Sequence, residues 1–503
     1  MRPARGSDPD DGVMVHRTAL AAAILLLTGC TAPDVPTVSP TPATATGSVA
    51  SPATAVPVPD YAGPQPMPAS DGGPMLWPAP VEVTMEDKGF GTETTHYGFV
   101  DASGKLVVPQ RYESYEYCYD DAGRAAFVLG SGVGRRVDVL DLTGAVIRRT
   151  PTTVATCGPA GTVVFTLEID PSGDQWRDGL MEVRTGRVVV PLARNRHIQL
   201  VDEHIVNVSE PGGEYFFDTR TGTRTPHPGE LMNLDPEPGT PGVPATASGG
   251  AVGYVDRRGT WRGVTGVIDT SGFHGGVAVA QLDEERYTFL DARLQRVGGV
   301  WGDIQDVSVD VAGTSKVVGY VVSGGAGQGL LAADLRTIVE PGPAVIRCDG
   351  DDLDAACSVL ADDGTAKLVL LPEGTMTAMP EGFSQALGRS FVADLVPADD
   401  DTTSSSRVLA LGTGRVAELR GPSSCAGVGT RWAVCEPESD VLPTVVLDAQ
   451  ARRTGFRTIE PVLDAVRGGG AVYYWATTGR YAGFVDENGA WRYRQRRFTR
   501  LED

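Results

Sequence analysis

Residues 97–109 have the sequence YGFVDASGKLVVP, and their central phrase, G-[FY]-V-D-x-x-G, occurs three times in the chain. The three copies are Gly98–Gly104, Gly253–Gly259 and Gly483–Gly489. In each copy the apolar residues predict a strand, the Asp predicts a cap for the following turn, and the last Gly can take a positive φ. A second strand then returns, as in LVVP after Gly104. The phrase therefore predicts a β-hairpin.

The spacing of the phrase predicts a repeat. Asp101, Asp256 and Asp486 are 155 and 230 residues apart, which are multiples of a period near 38 residues. Each period has room for about three or four short strands, and stacked neighbours would bury the faces that a single unit leaves exposed. One further copy, at Gly266–Gly272, is out of register. Weaker anchor positions follow the period at Asp141, Val183, Asp218, Asp291, Asp334, Leu371, Leu411 and Asp448.

The composition predicts an all-β fold. The 503 residues include 63 Gly and 36 Pro, and short Val-rich runs replace long helical periodicity. An array of about 38-residue units favours a β-propeller, as one large ring or two, with an open β-superhelix as the alternative. Residues 81–87 are acidic and residues 491–497 are basic, with Arg492, Arg494 and Arg496 on one predicted strand face. Pairing of these two strands would close a ring, whereas two solvated edges would leave it open.

The N-terminal residues predict a targeting segment. His16 and Arg17 precede an apolar run, Ala19–Leu27, that is too short to span a bilayer and is typical of a signal peptide. The run ends in Leu27-Thr28-Gly29-Cys30, which resembles the bacterial lipobox and implies lipidation of Cys30. Met14 is a better start for this segment than Met1, because residues 1–13 add acidic residues where bases are expected.

The targeting segment, the composition after it and the repeat together predict three regions of the chain. Residues 1–29 are the predicted lipoprotein signal peptide, and residues 30–70 are the lipidated Cys with a Pro/Thr/Ser/Ala-rich tether that cannot bury a core. Residues 71–503 are the predicted β-repeat head. The expected location is extracytoplasmic, with the protein anchored to the cell membrane through the lipid on Cys30.

The repeat places the six cysteines that remain besides Cys30. Two pairs occupy the same slots after their anchors in two different units, and a third pair occupies equivalent slots in adjacent units. In an oxidising location these slots predict disulfides, with free thiols as the alternative, and the absence of C-x-x-C spacing argues against zinc. The predicted bonds are Cys118–Cys157, Cys348–Cys357 and Cys425–Cys435.

The clearest repeat segments resemble the WG repeat of bacterial proteins. They are YGFVDASGKLVVPQRY at residues 97–112 with GRAAFV after it, residues 271–291, and residues 461–489. Tyr97, Val252 and Ala482 stand where that family has its Trp. The resemblance implies a β-rich repeat domain used for binding, and it implies no catalytic residues.

Candidate sites are few in this sequence. It contains no G-x-S-x-G, H-E-x-x-H or Walker motif, so no catalytic residue and no cofactor is predicted. Closely spaced carboxylates predict a weak calcium candidate, although a solvated acidic loop is the simpler interpretation. An alternating tyrosine row predicts one aromatic strand face, for ligand stacking or for packing against the next unit. The calcium candidate is Asp349, Asp351, Asp352 and Asp354, and the row is Tyr115, Tyr117 and Tyr119.

The expected function is binding. The formal charge of −21 repels nucleic acid and anionic membrane surfaces, so a nucleic-acid partner is not expected. The leading hypothesis is a non-enzymatic lipoprotein whose head binds an envelope protein or glycan. The alternative is an envelope hydrolase that acts on glycans with carboxylates at a propeller centre.

Overall fold

The computed structural model describes residues 55–67, 75–87, 90–120, 124–132, 134–159, 161–168, 176–202, 204–227, 229–231, 240, 242–247, 249–311, 314–350, 355–395, 405–420, 423–437, 443–462 and 473–499. Every regular element within these residues is a β-strand, and the strands form eleven sheets. The sheets are the blades of one eleven-bladed β-propeller. This confirms the all-β propeller prediction and decides for one large ring over two rings or an open superhelix.

The first six blades follow one another along the chain. Blade 1 contains β1 (Trp77–Asp87), β2 (Phe90–Val100) and β3 (Leu106–Tyr112); blade 2 contains β4 (Ser114–Tyr119), β5 (Ala125–Ser131), β6 (Asp138–Leu140) and β7 (Val146–Arg149). Blade 3 contains β8 (Val154–Cys157), β9 (Thr162–Glu168), β10 (Trp176–Glu182) and β11 (Val188–Val190); blade 4 contains β12 (His197–Leu200), β13 (Ile205–Glu210), β14 (Gly213–Asp218) and β15 (Arg224–Pro226). Blade 5 contains β16 (Gly229–Leu231), β17 (Val243–Ala247), β18 (Val252–Val255) and β19 (Trp261–Gly263); blade 6 contains β20 (Asp269–His274), β21 (Val277–Asp283), β22 (Arg286–Asp291) and β23 (Arg296–Trp301).

The remaining five blades return the chain to blade 1. Blade 7 contains β24 (Asp303–Val311), β25 (Thr314–Gly324), β26 (Gly327–Ala332) and β27 (Thr337–Gly342); blade 8 contains β28 (Val345–Gly350), β29 (Ala355–Leu360), β30 (Ala366–Leu371) and β31 (Thr375–Ala378). Blade 9 contains β32 (Gln385–Leu387), β33 (Phe391–Asp394), β34 (Ser405–Ala410) and β35 (Arg415–Arg420); blade 10 contains β36 (Ser423–Val428), β37 (Trp432–Pro437) and β38 (Val445–Leu447). Blade 11 contains β39 (Thr458–Pro461), β40 (Tyr474–Thr477), β41 (Tyr481–Val485) and β42 (Gln495–Arg496), and β43 (Phe498–Thr499) joins blade 1.

Strand order defines two faces of the ring. Each blade is a meander of consecutive antiparallel strands, and β43 takes the first position of blade 1 beside β1. First strands of neighbouring blades contact each other: β24 contacts β28, and β28 contacts β32. The first strands therefore lie nearest the central channel. Because neighbouring strands alternate in direction, the turns between third and fourth strands share one face, here called the turn face. Connections between second and third strands, and between blades, share the opposite face, here called the loop face.

The predicted Asp cap stabilises turns on the turn face. One carboxylate oxygen of Asp101 accepts hydrogen bonds from the backbone N–H groups of Ser103, at 2.8 Å, and Lys105, at 3.1 Å. The turn closes because Gly104 takes a φ of 79°, which a side chain would strain. The same pair of bonds recurs at Asp141, Asp256, Asp291, Asp448 and Asp486.

The predicted anchors lie at the ends of the third strands in all eleven blades. Four of the weak anchors are displaced by one or two residues from the turn residue that corresponds to Asp101. In blade 7, for example, Ala332 rather than Asp334 makes the equivalent backbone bonds: its N–H donates to the carbonyl of Arg336, and its carbonyl accepts from the N–H of Leu335. The other three corrected positions are Glu182 for Val183, Leu370 for Leu371 and Ala410 for Leu411.

Apolar clusters fill the interfaces between successive blades all round the ring. Large aromatic residues dominate several of them, as where Phe289 and Tyr320 have ring centroids 4.9 Å apart. Burial of these faces is what an isolated blade lacks, so each blade depends on both neighbours. Residues that meet in the clusters, in ring order, are Phe99 and Tyr117, Leu129 and Phe165, Leu180 and Val206, Phe216 and Ala245, Tyr254 and Phe273, Phe289 and Tyr320, Leu330 and Ala355, Leu368 and Val392, Phe391 and Ala433, Trp432 and Tyr474, and Phe484 and Trp77.

The ring closes between blades 11 and 1, as the terminal charges predict. The arginine that pairs with the acidic strand is none of the three named from the sequence. Arg497 donates to Glu82 at 3.0 Å. Arg492 instead pairs with Asp486 at 2.9 Å, and the Arg494 guanidinium lies 4.3 Å from the centroid of the Tyr481 ring. The prediction of one continuous strand over residues 491–497 is wrong, because only Gln495–Arg496 is paired as a strand there. The side chains therefore do not alternate as the pattern suggested.

A segment before blade 1 lies across this seam. Residues 55–67, here called the N-terminal strap, contact the turn face of blades 10, 11 and 1. Val56 bridges to Thr454, the N–H of Gln65 donates to the carbonyl of Arg492 at 2.9 Å, and that of Met67 donates to Ala102 at 3.0 Å. The strap lies within residues 30–70, which the sequence predicts to be a tether, and it packs apolar side chains against the head. These side chains include Val58, Tyr61 and Met67.

Candidate functional site

The three disulfides have the predicted pairings. Cys118 on β4 and Cys157 on β8 join the first strands of blades 2 and 3, with Cα atoms 5.3 Å apart. The bonds Cys348–Cys357 and Cys425–Cys435 each link directly opposite residues of the first and second strands within one blade. One bond therefore clamps two blades together, and two bonds clamp hairpins. Disulfides are typical of oxidising, extracytoplasmic locations.

The predicted tyrosine row lies at the interface with blade 1. Tyr117 is buried, and its hydroxyl donates to the carbonyl of Leu76 at 2.6 Å. The half-buried Tyr115 contacts Tyr97 and Phe99, with ring centroids 4.9 Å and 5.8 Å apart, and Tyr119 packs against the same apolar cluster. The contacts are those expected for packing between units, and a ligand role for the row stays a prediction.

Two other predicted sites fall largely outside the described residues. Cys30 lies outside them, as do Asp351, Asp352 and Asp354 of the calcium candidate; Asp349 lies on β28, where its side chain is not described. Among the described residues, no group of three His, Cys, Asp or Glu side chains is arranged to hold a metal ion. No helix in the described part of the chain is long and apolar enough to cross a membrane.

Two carboxylates with raised pKa values lie on first strands, which are the strands nearest the central channel. Desolvation raises the pKa of Glu116 on β4, although the backbone N–H of Cys157 donates to both of its oxygens at 3.2 Å. Desolvation also raises the pKa of Asp306 on β24, opposed by the nearby His274. Glu116 belongs to blade 2 and Asp306 to blade 7 of an eleven-bladed ring, so the two lie on opposite sides of the channel. They are not a pair of neighbouring carboxylates.

A cavity of about 360 Å³, here called the arginine cavity, lies between blades 1 and 2. It opens on the loop face, where β3 ends beside the connection from β5 to β6. Gly130 lines the cavity and packs so closely on Tyr112 that a Cβ there would lie 2.8 Å from its ring. The lining residues are Arg111, Tyr112, Gly130, Gly132, Arg135, Arg136, Asp138 and Arg149.

Asp138 holds the floor of the arginine cavity. One of its oxygens accepts from Nε of Arg149 at 2.8 Å, and the other accepts from the Tyr112 hydroxyl at 2.9 Å. Arg111 donates to the same Tyr112 hydroxyl at 2.6 Å. Burial raises the pKa of Tyr112 to about 12; Arg111 opposes this and Asp138 adds to it. The phenol therefore stays neutral and adds no negative charge to the cavity.

No local sequence pattern predicted this cavity. Its arginines come from β3, from the connection between β5 and β6, and from β7, so they meet only when blade 1 packs on blade 2. The available signal was the adjacent pair Arg135-Arg136 at a blade connection of an acidic chain. Both side chains are exposed, and neither has an ion-pair partner among the described residues.

Comparisons with known proteins add little to these observations. No protein-family model matches the sequence, and no curated protein sequence matches it. Among solved structures, the chain is similar to one titled "Crystal structure of the eukaryotic initiation factor", with a TM-score of 0.36, 11% identity, and coverage of 73% of this chain and 99% of that chain. It is also similar to "Dihydro-heme d1 dehydrogenase NirN in complex with DHE", with a TM-score of 0.23, 14% identity, and coverage of 70% and 81%. Likenesses this weak carry no argument about function.

Proposed function

We propose that the protein is a non-enzymatic, extracytoplasmic binding or scaffolding module, anchored to the cell membrane by a lipid on Cys30. The closed eleven-bladed ring carries this proposal. Six blades share one short Asp-capped turn on the turn face, whereas connections on the loop face differ in length from blade to blade. The second and third strands of blade 4 are separated only by residues 211–212, whereas those of blade 9 are separated by residues 395–404. A rigid ring with varied loops is compatible with a binding surface.

The location rests on two observations. Three disulfides in the folded head support an oxidising compartment outside the cytoplasm. The sequence Leu27-Thr28-Gly29-Cys30, which resembles a lipobox directly after an apolar run, supports lipidation. Membership of the WG-repeat family is part of the same proposal, supported by the repeated hairpin phrase and the propeller blades that it marks.

The partner in this proposal is an envelope protein or glycan. The formal charge of −21 argues against nucleic acid. A glycan hydrolase would need two carboxylates about 5–10 Å apart. The positions of Glu116 and Asp306, on opposite sides of the channel, do not favour that alternative.

The anchor and the partner are tested separately. Labelled palmitate should enter the full chain in a bacterial host and should not enter its Cys30→Ser variant; equal labelling of both would refute the anchor. For the partner, the full Cys30→Ser chain serves as soluble bait for envelope extracts. The matched control also lacks residues 490–503, which removes the strands that close the ring. A partner retained equally by both baits would contradict binding by the folded propeller.

A further inference from the structure

We propose that the arginine cavity between blades 1 and 2 binds the phosphate group of a small ligand, either inorganic phosphate or a sugar phosphate. The inference deepens the proposed binding function by assigning a site and a ligand chemistry. A cavity of about 360 Å³ has the size of a small-molecule site.

The charge of the lining selects an anion. Four arginines and one aspartate give the cavity a net charge of +3, whereas the whole chain has a net charge of −21. Positive charge is thus concentrated at one concave place on an acidic molecule, and the resulting positive potential attracts small anions. The surrounding negative field repels extended polyanions, so a small anion fits the site better than a nucleic acid does.

The hydrogen-bond donors select an oxyanion. Arg149 uses Nε for Asp138, so its two Nη groups have no partner within the described part of the chain. Arg111 uses one Nη for Tyr112 and Asp138, and its other N–H groups are likewise unpaired among described residues. Planar guanidinium groups held in this way donate pairs of hydrogen bonds to phosphate oxygens.

The two exposed arginines complete the site. Arg135 and Arg136 lie on the connection between β5 and β6, at the rim of the cavity. Asp138 cannot neutralise them as well, because its two oxygens already accept from Arg149, Tyr112 and Arg111. Asp138 and Tyr112 therefore position two guanidinium groups at the base, and Arg135 and Arg136 supply the charge that remains for a ligand.

Calorimetric titration of the full chain tests this assignment, with inorganic phosphate, glucose 1-phosphate and glucose as probes. The variant Arg135→Gln/Arg136→Gln removes the rim charges without touching Asp138. The control Arg220→Gln/Arg293→Gln removes two exposed arginines from turns of blades 4 and 6, so that both variants have the same net charge. All three proteins should unfold at the same temperature in phosphate-free buffer.

Both phosphate probes should bind the native chain and the control, and glucose should not bind. Loss of charge-assisted hydrogen bonds should weaken phosphate binding by the Arg135→Gln/Arg136→Gln variant about tenfold or more. Tighter binding of glucose 1-phosphate than of phosphate assigns a sugar phosphate, and the reverse assigns the free ion. Absence of phosphate binding, or equal binding by both variants, would overturn the inference. The envelope capture experiment is independent of this titration, so failure of one proposal is distinguishable from failure of the other.

Discussion

Glu82 and Arg497 form an ion pair at 3.0 Å although 415 residues separate them in the chain. The contact joins the second strand of blade 1 to the last strands of the protein. Close by, Nε2 of Gln495 donates to the carbonyl of Pro80 at 2.6 Å, and Phe498 pairs with Glu82 in the sheet. The ends of the array therefore meet, and the energetic importance of that meeting is measurable.

Deletion of residues 490–503 should abolish cooperative folding of the ring. The deletion removes β42 and β43 together with the buried Trp491 and Tyr493, and it exposes the apolar seam around Trp77. The substitution Arg497→Ala should instead cost about 1 kcal/mol or less, because the ion pair is partly exposed. Urea unfolding followed by tryptophan fluorescence compares them. A truncated chain that unfolds near the midpoint of the full chain would indicate an open array.

The N-terminal strap should depend on the glycine at one blade turn. Gly104 and Gly222 both have φ near 70–80°, so alanine at either should cost about 1 kcal/mol in backbone strain. A Cβ at Gly104 would also lie 2.3 Å from the carbonyl oxygen of Gln65, whereas a Cβ at Gly222 meets nothing within 4 Å. Gly104→Ala should therefore release the strap as well as destabilise the ring.

Limited proteolysis distinguishes the two glycine variants. Cleavage within residues 55–67 should accelerate in Gly104→Ala and stay unchanged in Gly222→Ala. Equal cleavage rates in both variants would show that this close contact does not hold the strap.

The interblade disulfide should stabilise the protein more than either hairpin disulfide does. Cys118 and Cys157 are 39 residues apart, and Cys348 and Cys357 are 9 apart. Loop-closure entropy then predicts losses of about 4 and about 2.5 kcal/mol on removal of each bond. Urea unfolding of the two double Cys→Ala variants measures this difference. A larger loss from the Cys348–Cys357 pair would show that local packing outweighs chain entropy.

The sequence predicted the blade register wherever the turn chemistry was complete. Asp101, Asp256 and Asp486 each combine a cap and a glycine, and these residues mark third-strand ends in the structure. The prediction slipped by one or two residues where the turn lacks the Asp cap, as at Ala332. The same register paired the cysteines, because equivalent slots in one repeat occupy equivalent places in space.

The features that the sequence missed all depend on contacts between units. The strap has the composition of a flexible tether, and its order comes from the surface of blades 10, 11 and 1 beneath it. The arginine cavity combines side chains from two blades, so no local pattern contains it. Repeat periodicity specifies what the units share, and it carries little information about residues that differ between them.

Lowering the pH should change the contributions of Asp101 and Glu116 to the free energy of unfolding in opposite directions. Burial alone would raise the pKa of Asp101, but hydrogen bonds from Ser103 and Lys105 outweigh it, and the pKa falls below the reference value of 3.8. Ionised Asp101 therefore stabilises the fold above that value, and this contribution is lost as the pH falls through the lower, folded pKa. Desolvation raises the pKa of Glu116 above its reference value of 4.5, although the side chain keeps contact with solvent. Ionised Glu116 therefore costs stability at neutral pH, and the cost disappears once the pH falls below 4.5.

Substituting each carboxylate by its neutral amide tests whether the two have opposite effects on the free energy of unfolding. Asp101→Asn should lower the free energy of unfolding at neutral pH, and the loss should shrink as the pH falls below 3.8. Glu116→Gln should raise the free energy of unfolding at neutral pH, because the amide oxygen still accepts from the N–H of Cys157 and needs no charge. Asp141→Asn is the matched control and should behave as Asp101→Asn does, since Asp141 caps the equivalent turn of blade 2 with a lowered pKa. Urea unfolding across the acidic range measures all three variants, and a stability loss for Glu116→Gln at neutral pH would contradict the assigned desolvation of the channel carboxylate.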